Sequence, residues 1–259
     1  MKDIQNLKDN RNVDIQKVGI KHLELPLIIQ RKNSSNQVVC AKAKVSVSLP
    51  RDYKGTHMSR FVEVLTEWQH KNLLGVDIKG CLEKIIHNLD AQSGELEFKF
   101  PYFIDKKSPV KGMVAPMSYH CSFEGRIEND EYKFILGVEV PVTTLCPCSK
   151  EISDNGAHNQ RAFIKVKVSY DEREQVWIED LVDLIESCAS CPVYPLLKRE
   201  DEKYVTEKAW DNPKFVEDVL RDVVVKLRNH QIINEFDVEC EAFESIHNHS
   251  AWAFQHEVK

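Results

Sequence analysis

One order of hydrophobic patterns runs through the chain twice, and it limits the possible folds more than any single motif does. Val39, Ala41, Ala43, Val45, Val47 and Leu49 alternate with Cys40, Lys42, Lys44, Ser46 and Ser48. A period of two predicts a half-buried strand. The mostly apolar run 18–30 before it predicts a partner strand. Helical stripes follow: Phe61, Val64, Leu65 and Trp68, then Ile78, Cys81, Leu82, Ile85, Ile86 and Leu89. Gly94 breaks that period, Leu96, Phe98, Phe100 and Tyr102 alternate as a strand, and 113–127 reads as another.

The order then recurs. Strands are expected over 132–142 and 162–170, and again over 232–245 and 250–257. Between them lie the stripes Ile178, Leu181, Val182, Ile185, Cys188 and Val216, Val219, Leu220, Val223, Leu227. Asn212 and Pro213 read as N-cap and first residue of the last helix. The scheme is strand-strand-helix-helix-strand-strand in each half, a repeat of topology without evident sequence identity. Hairpins followed by helix pairs imply an α+β arrangement, an antiparallel sheet with helices on one face. The expected modules are 1–129, with 1–12 as a flexible lead, and 130–259. The edges of two such small sheets invite closure into a barrel by oligomerisation.

Composition excludes several classes. The 259 residues are 42% hydrophobic and 29% charged, an ordinary globular balance. A net charge of −6 does not support a nucleic-acid partner held by a broad basic surface. No run of about eighteen apolar residues offers a membrane span, and the polar start of the chain does not read as a secretory signal. A cytoplasmic protein is expected. In that setting the eight cysteines are thiols or metal ligands rather than a disulfide framework.

Residues 145–161, LCPCSKEISDNGAHNQR, concentrate the chemistry. Cys146, Cys148 and His158 are ligand types for a zinc-class ion. Their spacing matches no common zinc finger. Too few local ligands implies an open coordination position, which catalysis needs and a structural site avoids. Two buried thiols and a surface imidazole are the bland alternative. Cys188 and Cys191 form a second pair that could complete a four-thiolate structural zinc site in a non-catalytic binding module. Cys188 also falls on an apolar helical stripe, where core packing is the simpler reading. The run 196–203, LLKREDEK, reads as a solvated loop that nonetheless carries carboxylates able to complete a Cys/His site. His247 and His249 stand at strand spacing and suit proton transfer. Glu217 sits in an early helical turn, where the macrodipole alone favours an acid. His57, Arg60, Lys150, Arg161, Lys198 and Arg199 are scattered bases. Neither a P-loop nor a Rossmann glycine motif is present.

Four segments together, PVTTLCPCSKEIS (141–153), GAHNQR (156–161), KGTHMSRF (54–61) and NPKFVED (212–218), resemble GTP cyclohydrolase of type IB. That family is the metal-dependent bacterial alternative to the common zinc enzyme of folate synthesis. The resemblance covers nearly the whole chain after residue 12. It implies a tunnelling fold with two modules per chain, and a homotetramer with sites at subunit interfaces. It implies conversion of GTP and water to 7,8-dihydroneopterin triphosphate and formate. Cys146, His158 and Glu202 would hold a divalent ion, Mn, Fe or Zn. Glu217 would receive the guanine edge, since a carboxylate accepts two adjacent N–H donors. His247 or His249 would move protons, and His57, Arg60, Lys150 and Arg161 would hold the triphosphate. Glu200 stands where the family has proline, so two carboxylates compete for the ion. The archaeal relative that forms a cyclic phosphate product is an alternative outcome. The nitrile reductase of the same fold is disfavoured by the Cys-Pro-Cys and His arrangement.

Overall fold

The computed structural model describes Gln5 and residues 7–259. The fold is mixed α+β, with a large sheet and six helices among the described residues. The chain divides into two compact units. One holds the described residues up to Pro101, with Ser122–Leu136 and Asp171–Gln175; the other holds Tyr102–Cys121, Gly137–Tyr170 and Val176–Lys259.

The first unit opens with β1 (Ile15–Gln30), β2 (Asn36–Leu49), α1 (Met58–Trp68), β3 (Asn72–Leu73) and α2 (Gly75–Asn88). Three long strands follow, β4 (Gly94–Lys107), β5 (Val114–Glu128) and β6 (Glu131–Leu145), whose residues are shared out between the units. Strand β1 pairs antiparallel with β2, Leu27 opposite Val39, and β2 with β4, Val45 opposite Leu96. The alternation in β2 is realised: Val39, Ala41, Ala43, Val45 and Val47 are buried. Phe61, Val64 and Leu65 of α1 and Ile78, Cys81, Leu82 and Ile85 of α2 are buried with them. Phe100, Phe123 and Phe134 meet edge-on at centroid distances of 5.1 and 5.7 Å.

The second unit continues with α3 (Pro147–Ile152), β7 (Asn159–Tyr170), α4 (Ile178–Glu186), β8 (Cys191–Pro192), α5 (Arg199–Asp211), α6 (Val216–Arg228), β9 (Ile233–Ala242) and β10 (Ala251–Val258). Its strand order is β6-β7-β9-β10, with β8 beside β6. Ala162, Ile164, Val166 and Val168 on β7 are fully buried, as are Val238 and Cys240 on β9. Leu181, Val182 and Ile185 of α4 and Val219, Val223 and Leu227 of α6 complete this core. It holds because each element carries an apolar row at its own period.

Three expectations are corrected here. The charge run expected as a loop is the first turn of α5. Its Asp201 is wholly buried and accepts from Lys198 N (3.0 Å), Val110 N (2.8 Å) and Lys111 N (2.9 Å). A sequence rule that treats charge as solvated misses a carboxylate used as a cap. Second, α6 starts at Val216 with Phe215 as its N-cap, not at Asn212. Asn212 closes α5 instead, and its amide donates to Ala189 O at 2.9 Å. Third, β9 ends at Ala242, so His247 and His249 lie on a bent connection rather than on a strand. Of the lead expected to be flexible, residues 1–4 and 6 lie outside the described residues. Of the rest, Gln5 O accepts from Gly55 N (3.1 Å) and Leu7 O from Lys54 N (3.0 Å).

Candidate functional site

The Cys-Pro-Cys loop leaves β6 at Leu145 and turns at once into α3. Cys146 is the N-cap of that helix, with Pro147 at its first position, where a missing N–H costs nothing. The Cys146 Sγ accepts from Ser149 N at 3.4 Å, so the thiol substitutes for the usual oxygen cap. The chain returns through Gly156, whose φ of +92° an L side chain rarely adopts. His158 then enters β7. Cys146 N donates to His158 O at 3.1 Å, and His158 N donates to Ser149 Oγ at 3.1 Å. One main-chain hydrogen bond thereby joins the Cys146 and His158 segments, and the Ser149 hydroxyl accepts from the His158 N–H.

The imidazole of His158 is mostly buried. Its Nδ1 lies 2.9 Å from Gln160 Oε1 and 3.8 Å from Glu244 Oε2. Gln160 in turn donates through Nε2 to Thr144 Oγ1 at 2.9 Å. Beneath the loop, Leu145, Cys191 and Ala209 form a small apolar cluster, with Ala157, Tyr194 and Val205 packed on it. Lys150 reaches across to the main-chain carbonyl of Trp210, its ammonium 4.6 Å from the Trp210 ring. Beside the loop opens a cavity of about 810 Å³, lined by Gln160, Arg161, Tyr194, Leu197, Glu207 and Trp210 among others.

A borderline divalent ion fits the donor types of Cys146 and His158. The third expected ligand is not gathered with them. Among the described residues no group of three or more His, Cys, Asp or Glu side chains is placed to hold a metal. Glu202 lies exposed in the first turn of α5, three and seven residues before Val205 and Ala209 of the apolar cluster, hence on the same helical face. Glu200 is turned elsewhere and pairs with Lys111 at 2.8 Å. Cys148 is exposed on α3. Cys188 and Cys191 are buried, and burial pushes both thiols up, as expected of core packing.

Glu217 is exposed in the first turn of α6. His247 and His249 are exposed, their rings stacked at 5.1 Å and 7°. Arg161 is exposed on β7. In the first unit, His57 occupies the N-cap position of α1, and Arg60 donates to Asn88 O at 2.8 Å. Sequence reasoning assigned no role to Gln160, Thr144 or Glu244. Gln160 was detectable as an amide in the inward phase of β7, where its neighbours are Ala162 and Ile164.

Residues 1–253 match the family model described as type I GTP cyclohydrolase folE2. A GTP cyclohydrolase FolE2 of Geotalea uraniireducens is 51% identical over 253 residues, 98% of this chain and 92% of its own length. One of Thermosipho africanus is 49% identical, over 98% of this chain and 96% of its own. Among solved structures, the uricase of Arthrobacter globiformis aligns with a TM-score of 0.54 at 8% identity, over 94% of this chain and 93% of that one. A uricase of Bacillus fastidious aligns at 0.50 and 10% identity, covering 94% and 93%. At such low identity the uricases share the fold alone, the tunnelling fold that the family resemblance implies. The motifs around Cys146 and His158, the matched family model and relatives near half identity over almost the full length agree: the chain belongs to the FolE2 family of type I GTP cyclohydrolases.

Proposed function

We propose that this GTP cyclohydrolase I forms 7,8-dihydroneopterin triphosphate and formate from GTP, the first step of tetrahydrofolate synthesis, at a site centred on Cys146 and His158. The observation that carries the reading is that Cys146 and His158 are joined by a main-chain hydrogen bond and by the Ser149 hydroxyl, which accepts from the His158 N–H. The finer assignment is to type IB, the metal-dependent bacterial class. Cys146, His158 and Glu202 would hold a divalent ion, Mn, Fe or Zn. Glu202 is preferred to Glu200 because it shares a helical face with Val205 and Ala209, whereas Glu200 is held by Lys111. Such an ion supplies Lewis acidity and brings a water toward ionisation near neutral pH.

The chain's own residues do the rest. Glu217 accepts the paired N–H donors of guanine and so orients C8 toward the Cys146 loop. His247 and His249 exchange protons with the ring nitrogens as the imidazole ring of guanine opens and its C8 leaves as formate. Their exposure and stacking on a bent connection suit a group that must meet both solvent and substrate. His57, Arg60, Lys150 and Arg161 hold the triphosphate.

We further propose that the modules 1–129 and 130–259 close into a barrel by association of four chains, with sites shared at subunit interfaces. Strand β10 supports this, since it ends the strand order and exposes Trp252, Phe254 and Val258. We place the enzyme in the cytoplasm on the ground that all eight cysteines are free, as a reducing compartment requires. Among the described residues no helix is long and apolar enough to cross a membrane.

Cys146→Ala tests the site. It should abolish tight metal binding and turnover while circular dichroism stays that of the parent and the melt remains cooperative, lowered by no more than the lost cap and metal account for. Retained metal, held by Cys188 and Cys191, would overturn the assignment.

A further inference from the structure

The inward row of β7 runs Gln160, Ala162, Ile164, Val166, Val168, and four of these five are apolar and fully buried. Gln160 is 8% exposed, so its amide must find partners inside the protein. It finds two. Oε1 faces His158 Nδ1 at 2.9 Å, and Nε2 donates to the buried Thr144 hydroxyl at 2.9 Å. His158 stands immediately before β7 and Gln160 is its second residue, and the 2.9 Å contact brings the two side chains together. Thr144 lies on β6, next to the Leu145 that begins the Cys-Pro-Cys loop.

We infer that Gln160, anchored by Thr144, is a positioning residue that sets the tautomer and ring orientation of His158. This rests on His158 being a metal ligand. An amide oxygen can only accept, so Nδ1 must carry the hydrogen. Nε2 is then left with its lone pair, the form that binds a cation. Thr144 Oγ1 accepts from Nε2, which leaves Oε1 to face Nδ1; in this arrangement the amide oxygen, not an N–H, meets the imidazole. Glu244, at 3.8 Å from Nδ1, is too distant for a direct hydrogen bond and does not replace this contact. The residue is thus buried yet faces the site, although the sequence pattern leaves it in the polar loop before the expected strand 162–170.

The test measures Zn²⁺ affinity by competition with a chromophoric chelator, and the His158 tautomer by ¹⁵N imidazole NMR of the metal-free protein. Gln160→Leu should weaken Zn²⁺ binding by roughly 10- to 100-fold, the usual effect of losing a partner behind a ligand, and should shift His158 away from the Nδ1–H form. Gln160→Glu keeps an acceptor and should hold both readouts near the parent. Thr144→Val with Gln160→Leu replaces both polar partners by apolar groups and restores packing, so it guards against simple unfolding. If Gln160 only packs, this double variant recovers parental affinity and tautomer, and the proposal is overturned. If it positions His158, the double variant is as stable as the parent and still binds Zn²⁺ weakly. His158→Ala separates the two readings. Undiminished Zn²⁺ affinity in His158→Ala would sink the metal-site assignment itself, whereas loss there with parental affinity in Gln160→Leu would sink only the role of Gln160.

Discussion

The residues assigned to chemistry are of two kinds, held and free. Cys146 and His158 are held, by one main-chain hydrogen bond between them and by the Ser149 contacts. Glu217, His247 and His249 are exposed, and the proposed function gives each of them a contact with bound GTP. For Glu217 the consequence is measurable. A carboxylate that receives two guanine N–H donors leaves them unmatched when it becomes an amide, at a cost of roughly 2–4 kcal/mol. Glu217→Gln should therefore lower kcat/KM for GTP by about a hundredfold with metal content unchanged. Near-parental kinetics would show an acid that merely suits a helix start.

At the scale of elements, two positions decide whether a segment forms as it does. Gly19 lies opposite Ser46 in the β1–β2 ladder, and a Cβ there would stand 2.0 Å from Val45 O. The obstacle is main chain, which cannot swing aside as a side-chain tip can. Gly19→Ala should destabilise the protein by about 1–3 kcal/mol, read as a lowered urea midpoint. An unchanged midpoint would mean that the strands separate freely at this point. Asp201 plays the converse part in α5. Burial opposes its ionisation, but the N–H groups of Lys111, Lys198 and Val110 outweigh that and hold its carboxyl at about 2 against an ordinary 3.8. A depressed folded-state value means stability that is full above the unfolded value and is lost as pH falls through the folded one. Asp201→Asn should lower Tm at neutral pH and flatten the loss of stability between 3.8 and about 2. Parallel pH profiles of variant and parent would show that other acids carry the acid unfolding.

At the scale of the whole molecule, the proposed shared site makes its own prediction. His57 and Arg60 belong to the first unit, Cys146 and His158 to the second. If the triphosphate and metal contributions to one site come from different chains, Cys146→Ala and Arg60→Ala proteins should complement each other. Mixing them under conditions that exchange subunits should restore part of the activity, because some interfaces inherit both intact halves. No recovery despite proven exchange would place both contributions on one chain, and a fully active monomer by light scattering would rule out sharing altogether.

Periodicity made the long strands and most helices legible, because an element that buries one face must repeat at 2 or at 3.6 residues whatever surrounds it, whereas the two-residue β3 and β8 are too short to show a period. The alternation in β2 and the stripes of α1, α2, α4 and α6 are local facts, and they survive in the tertiary structure. The Cys146 and His158 motif was legible for another reason: its residue types are uncommon together on a polar loop. What the sequence could not determine depended on partners far along the chain. Asp201 is a cap rather than a solvated charge because the backbone of Val110 and Lys111 arrives beside it. Asn212 ends a helix rather than starting one because Ala189 and Ser190 offer their carbonyls. Gln160 matters because folding sets Thr144 on one side of its amide and His158 on the other. A polar side chain takes its role from whichever group satisfies it, and only the tertiary structure chooses that group.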